Sequence, residues 1–217
     1  MYKTVVFDLD GTLLNTLTDL ADAGNRLCRK YGWPTHERQA YRYFVGNGIP
    51  KLVERLAPVD QRTPAVLEAA LADFKRDYGQ HLRDTTAPYP GIPEMLAKLK
   101  ANGVQLAVFS NKADALAKEV VKDYFGTQYF TIVRGQMTGV APKPAAEGTN
   151  ALLQALHADP ASTLYVGDSN VDVETAHNAN LPCCGAVWGF RTREELNAAG
   201  AEYLTENSDE LYDVIMK

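Results

Sequence analysis

Thr4-Val-Val-Phe-Asp-Leu-Asp-Gly-Thr12 decides how the rest of the chain reads. Its first four residues are β-branched or aromatic, and the run is short enough for a buried strand. Strand alternation then puts Asp8 and Asp10 on one side and Leu9 on the other. Gly11 lets the chain leave the strand in a tight turn. Two carboxylates this close repel unless they share a proton or a cation. Mg²⁺, a hard dication that prefers oxygen ligands, answers that need. The plainer alternative is a pair of acids on an exposed strand end, but the apolar run before them suits a central strand.

Four more such runs follow, at residues 104–109, 129–133, 163–166 and 184–187. Helical spacing fills the gaps between them. Ile92, Met95, Leu96 and Leu99 recur on one face and stop at Asn102-Gly103. Residues 113–125 and 145–157 behave similarly, and helical patterns at 172–178 and 193–199 follow the later strands. This alternation predicts an α/β fold: a central parallel sheet with helices on both faces. From about residue 18 to residue 84 no strand appears. Helical patterns occupy 20–31, 37–44, 49–56 and 64–82, and a Pro-rich stretch at 85–91 reads as a linker. The expected organisation is a core of residues 1–15 and 87–217 with a helical insertion of residues 16–86.

The chain has 217 residues, 46% hydrophobic and 23% charged, enough for one sizeable domain or a core with an insertion. The net charge of −5 supplies no basic footprint, so neither nucleic acid nor a membrane surface is expected as a partner. An anionic substrate would need a local positive site, from a metal ion or a few lysines. Cys28, Cys183 and Cys184 form no CxxC pair and read as buried small hydrophobes in a reducing compartment. No secretory signal pattern and no apolar run near the ~18 residues of a membrane span is found. The expectation is a soluble, cytoplasmic protein, a monomer or small homo-oligomer.

Three further polar clusters follow later strands. Ser110-Asn111 stands at an expected helix start, either as an N-cap or as a phosphate contact. Lys143, between Pro142 and Pro144, is either a surface lysine in a turn or a fixed charge aimed at an anion. Gly167-Asp-Ser-Asn-Val-Asp172 places Asp168 and Asp172 where both can face one cation. Ligands of open parallel sheets bind outside the carboxyl ends of the strands, so all four clusters should converge. Acids, a hydroxyl and a lysine together suit phosphoryl transfer, with a carboxylate able to attack phosphorus.

These four clusters, in this order, resemble the four motifs of the haloacid dehalogenase superfamily of phosphatases, over the whole chain. The resemblance implies a Rossmann-like core and a small helical cap. Phe44-Val-Gly-Asn-Gly48, Tyr89-Pro-Gly91 and Trp188-Gly-Phe-Arg191 resemble phosphoglycolate phosphatases more narrowly. It further implies that Asp8 attacks phosphorus and that Asp10 protonates the leaving alcohol, then deprotonates water. Mg²⁺ would be held by Asp8, the Asp10 carbonyl and Asp168, with Asp172 orienting its surroundings. Ser110, the Asn111 backbone N–H and Lys143 would hold the phosphoryl oxygens. Gly46-Asn47-Gly48 reads as a helix–helix turn or as a loop dipping into the site, and the resemblance favours the second.

An acid at position 10 argues against the dehalogenases, since halide needs no proton. The implied substrate is a small phosphorylated metabolite, with 2-phosphoglycolate leading. A sugar-phosphate mutase, a pyrophosphatase, a nucleotidase and a silent binding protein are the alternatives. Lys51 raises a phosphonate hydrolase, which would require a buried lysine with a depressed pKa. Asn15-Thr16, residues 145–148 and Asn180 depart from the family pattern.

Overall fold

Strand β1 (Thr4–Phe7) is buried at every residue. The computed structural model describes residues 1–217. After β1 come a two-residue strand, β2 (Leu14–Asn15), and four helices: α1 (Leu17–Tyr31), α2 (Arg38–Phe44), α3 (Ile49–Leu56) and α4 (Pro64–Gln80). Strand β3 (Ala87–Pro88) pairs with β2. The chain then alternates through α5 (Ile92–Ala101), β4 (Gln105–Ala113), α6 (Asp114–Phe125), β5 (Phe130–Gln136) and α7 (Ala146–Leu156). It ends with β6 (Thr163–Gly167), α8 (Asn170–Asn178), β7 (Cys183–Ala186), α9 (Arg193–Ala199), β8 (Tyr203–Thr205) and α10 (Ser208–Met216).

The main sheet has the order β5-β4-β1-β6-β7-β8, with every neighbouring pair parallel. From β1 the chain builds outward through β4 and β5, then returns to β6 on the other side. That reversal makes the carboxyl end of β1 a topological switch point, where the loops diverge and leave a crevice. Val6, Ala107, Phe109, Tyr165 and Cys183 pack with Leu152, Leu153 and Val173 in the core beneath it. All three cysteines are buried and free. No helix is long and apolar enough to cross a membrane.

The chain divides into two compact units, Met1–Asn15 with Pro88–Lys217, and Thr16–Ala87. The second is helical. Gly24 on α1 brings that helix close to α2, because a Cβ there would overlap the Tyr41 ring. Asp19, in the first turn of α1 and 2% exposed, organises the far end of the same unit. It accepts hydrogen bonds from the backbone and hydroxyl of both Thr85 and Thr86. Burial works to raise its pKa, but these four donors outweigh it and hold the carboxyl below its ordinary range. Asp19→Ala is expected to lose about 2–3 kcal/mol in urea unfolding at pH 7. Because the folded pKa is lowered, that contribution is present above the ordinary carboxylate range. It is lost as pH falls through the folded pKa, where mutant and wild type should converge.

Candidate active site

Asp8 follows β1 directly, its backbone N–H bound to the Val166 carbonyl at 2.8 Å. Carboxylate oxygens of Asp8, Asp168 and Asp172 lie within 4.8 Å of one another, all three residues buried. Three glycines make the room. A Cβ on Gly11, whose φ is +91°, would overlap the Asp168 carboxylate; one on Gly189 would overlap Asp168 and the Gly11 carbonyl; one on Gly167 would overlap Asp172.

Each acid is held differently. Asp168 accepts from the Thr12 hydroxyl at 3.0 Å and from the Phe190 N–H at 2.7 Å. Asp172 closes a capping box at the start of α8: its Oδ2 accepts from the Ser169 hydroxyl and N–H at 2.7 and 3.1 Å. Its other oxygen accepts from Lys143 at 2.7 Å. Lys143 Nζ also sits 2.9 Å from Asp8 Oδ1, but out of line for a hydrogen bond, so that buried oxygen has no hydrogen-bond donor.

The electrostatics follow from crowding. Burial pushes the Asp8 carboxyl up to about 7; Lys143 opposes the rise, and Asp172 and Asp10 add to it. Burial, then Asp172 and Asp8, raise Asp168 well above its usual range. For Lys143, burial disfavours the charge, but Asp172 and Asp8 outweigh it, and the ammonium is retained. With all three carboxyls ionised, the one ammonium would leave two negative charges, which a bound dication would offset. An oxygen donor set with an orphaned carboxylate oxygen suits a hard divalent cation.

Several expectations change. The strand β4 runs on through Ser110 and Asn111 to Ala113, and α6 starts at Asp114 with Ala113 as its cap. Ser110 and Asn111 are therefore strand residues and not helix caps. The Ser110 hydroxyl accepts from the Lys112 N–H at 3.2 Å. The Asn111 side chain clamps the backbone of Lys143, donating to its carbonyl at 3.2 Å and accepting from its N–H at 2.8 Å. Lys143 is no surface lysine, since its side chain is 1% exposed. Asp10, expected to meet a metal through its backbone carbonyl, keeps its side chain outside the three-acid cluster, paired with Lys112 at 3.0 Å.

Gly46, Asn47 and Gly48 lie in the helical unit, between α2 and α3, with φ of +112° and +82° at the two glycines. Arg55 fixes this turn through Asn47 Oδ1 at 2.9 Å and the Phe44 carbonyl at 2.8 Å. Lys51 is 47% exposed and bonded to Glu54, so it is not the buried lysine that a phosphonate hydrolase requires. Asn180 adopts φ +56°, a left-handed position that asparagine tolerates where glycine is usual.

Sequence reasoning missed Lys112, Tyr165 and the tie from Thr12 to Asp168. Tyr165 lies within the run at residues 163–166, where nothing in the pattern marks it, yet Lys143 donates to its hydroxyl at 3.2 Å. Lys112 carried a usable signal, since strand period places it with Ser110 at the carboxyl end of a central strand.

The family model of haloacid dehalogenase-like hydrolases matches residues 5–186. This chain belongs to that family. Among its relatives, the phosphoglycolate phosphatase of Chromobacterium violaceum is 31% identical over 98% of this chain and 96% of its own. The plasmid phosphoglycolate phosphatase of Cupriavidus necator is 32% identical over 95% and 90%. The crystal structure of a predicted phosphoglycolate phosphatase from Haemophilus somnus superposes with TM-score 0.89, at 25% identity over 98% and 97% of the two chains. CbbY of Rhodobacter sphaeroides, solved with xylulose-(1,5)-bisphosphate, shares the fold at TM-score 0.81 and 22% identity, over 97% and 96% of the two chains. The chain is thus a phosphoglycolate phosphatase-like haloacid dehalogenase hydrolase.

Proposed function

We propose that this hydrolase releases phosphate from small phosphomonoesters, foremost 2-phosphoglycolate, through an aspartyl-phosphate on Asp8. The observation that carries the reading is the buried Asp8 carboxylate with an undonated oxygen, set beside Asp168, Asp172 and Lys143 at the switch point of the sheet. Asp8 attacks phosphorus as the ester P–O bond breaks, and Asp10 gives a proton to the leaving oxygen. Asp10 then takes a proton from the water that attacks the phosphoenzyme, which frees phosphate and restores Asp8. Ser110, the Asn111 N–H and Lys143 hold the phosphoryl oxygens. Mg²⁺ would be held by Asp8, the Asp10 carbonyl and Asp168, with Asp172 ordering its surroundings. When bound it would offset the charge of the phosphoryl group. Residues 16–86 serve as cap, and Gly46, Asn47 and Gly48 contact substrate. The names of the relatives support the substrate.

Phosphate release from 2-phosphoglycolate, a hexose 1-phosphate, a nucleoside monophosphate, pyrophosphate and p-nitrophenyl phosphate tests this, with Mg²⁺ and with EDTA. Metal-dependent release, fastest by kcat/KM on 2-phosphoglycolate, is the expected result. Preference for another ester would move the substrate and keep the chemistry. No release from any of them would overturn the reading.

A further inference from the structure

Asp10 is gripped by a residue outside the four motifs. Lys112 Nζ donates to both of its oxygens, at 3.0 and 3.3 Å. The Lys112 side chain is 2% exposed and that of Asp10 15%, so the cation lies deeper than the acid it holds. A pair in open solvent would be screened and loose, whereas a desolvated ammonium holds its partner strongly.

The backbone determines where Lys112 starts. Its N–H donates to Ser110 Oγ at 3.2 Å. Across in β5, Gly135 allows the two strands to close up, since a Cβ there would overlap the Lys112 carbonyl and the Asp114 backbone. The Gly135 N–H donates to Asp114 Oδ1 at 3.0 Å. The β4–β5 register shifts between Phe109 and Ala113, at just these residues. At this irregular strand end two neighbours serve two parts of the site: Asn111 clamps the Lys143 backbone, and Lys112 reaches Asp10.

We propose that Lys112 is a positioning residue for phosphoryl transfer: it holds the Asp10 carboxyl through the nearer oxygen, while the farther one takes up the proton that passes to the leaving oxygen and is regained from water. This rests on the role of Asp10 given under Proposed function. A general acid must lie within hydrogen-bond reach of the atom it protonates. Displacement by about 1 Å is enough to cost about 100-fold. Without Lys112 the two side-chain torsions of Asp10 are released.

The consequence is selective. An alkyl oxygen must be protonated as it leaves, whereas p-nitrophenolate is a stable anion that departs unaided. Loss of Lys112 therefore slows the first turnover of 2-phosphoglycolate and spares that of p-nitrophenyl phosphate. General damage to the site would slow both.

The test is rapid-quench kinetics with Mg²⁺ on Lys112→Met, Lys112→Arg and Asp10→Asn, using both esters. For Lys112→Met, first-turnover release of glycolate should fall about 30- to 100-fold with KM within about twofold. The first equivalent of p-nitrophenolate should still be released within about threefold of the wild-type rate. Slow turnover should follow it, because the phosphoenzyme waits on Asp10 to deprotonate water. Lys112→Arg, which keeps charge and donors, should restore most of the glycolate rate. If Lys112→Met slows both first turnovers equally, or neither, the proposal is overturned. Asp10→Asn separates the two ideas. The same discrimination there, without it in Lys112→Met, sinks only the role of Lys112. No discrimination in Asp10→Asn overturns the reading of Asp10, and the proposal with it. Should Lys112→Met fail to fold by circular dichroism, Lys112→Gln is measured by the same criteria.

Discussion

Asp8→Asn should abolish turnover and, in the metal-free protein, make the fold more stable. The loss of activity follows from removing the nucleophile: an amide cannot accept the phosphoryl group, and a fall of at least about 10⁴-fold in kcat is expected. The stability change follows from the crowding around Asp8. Burial lifts its pKa to about 7 against the influence of Lys143. Between the ordinary carboxylate range near ~4 and that value, the folded state keeps a proton that the unfolded state has lost. More protons bound to the folded state means that stability falls as pH rises through this window. Each pH unit between the two pKa values is worth about 1.4 kcal/mol, so the penalty at pH 8 is on the order of a few kcal/mol. Asparagine carries no charge to desolvate and escapes it. Urea unfolding in EDTA should show wild type and Asp8→Asn together near pH 4 and the variant ahead at pH 8. With Mg²⁺ the order should reverse, because the cation stabilises whichever protein binds it better. A variant less stable than wild type at pH 8 in EDTA would show that the acids are not in mutual repulsion.

Much of this arrangement is legible from residue order alone, and the reasons differ by element. Thr4–Phe7 is β-branched or aromatic throughout, bounded by Asp8, and emerges with those ends; α3 and α5 carry clear apolar periods, and α9 stops sharply at Gly200. Strand β4 misleads because its last residues are polar for the sake of the site, and Ser-Asn looks like a cap. β8 is three residues long with Tyr203 39% exposed, too short and too open for a period to register. The convergence of the acids is readable because any parallel α/β sheet sends its strand ends to one place. What a residue meets there is not. Pro142-Lys143-Pro144 gives no hint that the lysine is inside, and only packing shows that Gly189 is small because Asp168 stands against it. Local pattern reports conformation, whereas burial of a charge depends on partners far away in the chain.

Lys143→Met is the second large effect, and it acts on both stability and rate. Nζ lies 2.7 Å from Asp172, 2.9 Å from Asp8 and 3.2 Å from the Tyr165 hydroxyl, with the Tyr165 ring centroid at 5.7 Å. Removing it leaves buried carboxylates without their cation, which typically costs about 3–5 kcal/mol. Asp172 and Asp8 raise the lysine pKa well above its usual value despite burial. A raised lysine pKa means that the contribution is complete below the unfolded value near ~10.4 and lost only above it. The lysine therefore stays charged throughout, and any pH dependence of the loss between pH 6 and 8 comes from the acids. Lys143→Arg should not restore it. A planar fork cannot reproduce contacts made by a compact ammonium to two different carboxylates, and the wall of Tyr165 leaves it no room to swing. Lys143→Met with Asp172→Asn should recover part of the loss, since the second change removes the stranded charge; the neutral side chain keeps an acceptor for the Ser169 hydroxyl. Coupling of about 1 kcal/mol or more in that double-mutant cycle is expected. The rate should fall about 10²- to 10³-fold, because a fixed charge beside the phosphoryl oxygens is missing as the transition state forms. Additive losses in the cycle would mean that Lys143 and Asp172 act separately, and the ion pair would then explain neither the stability nor the rate.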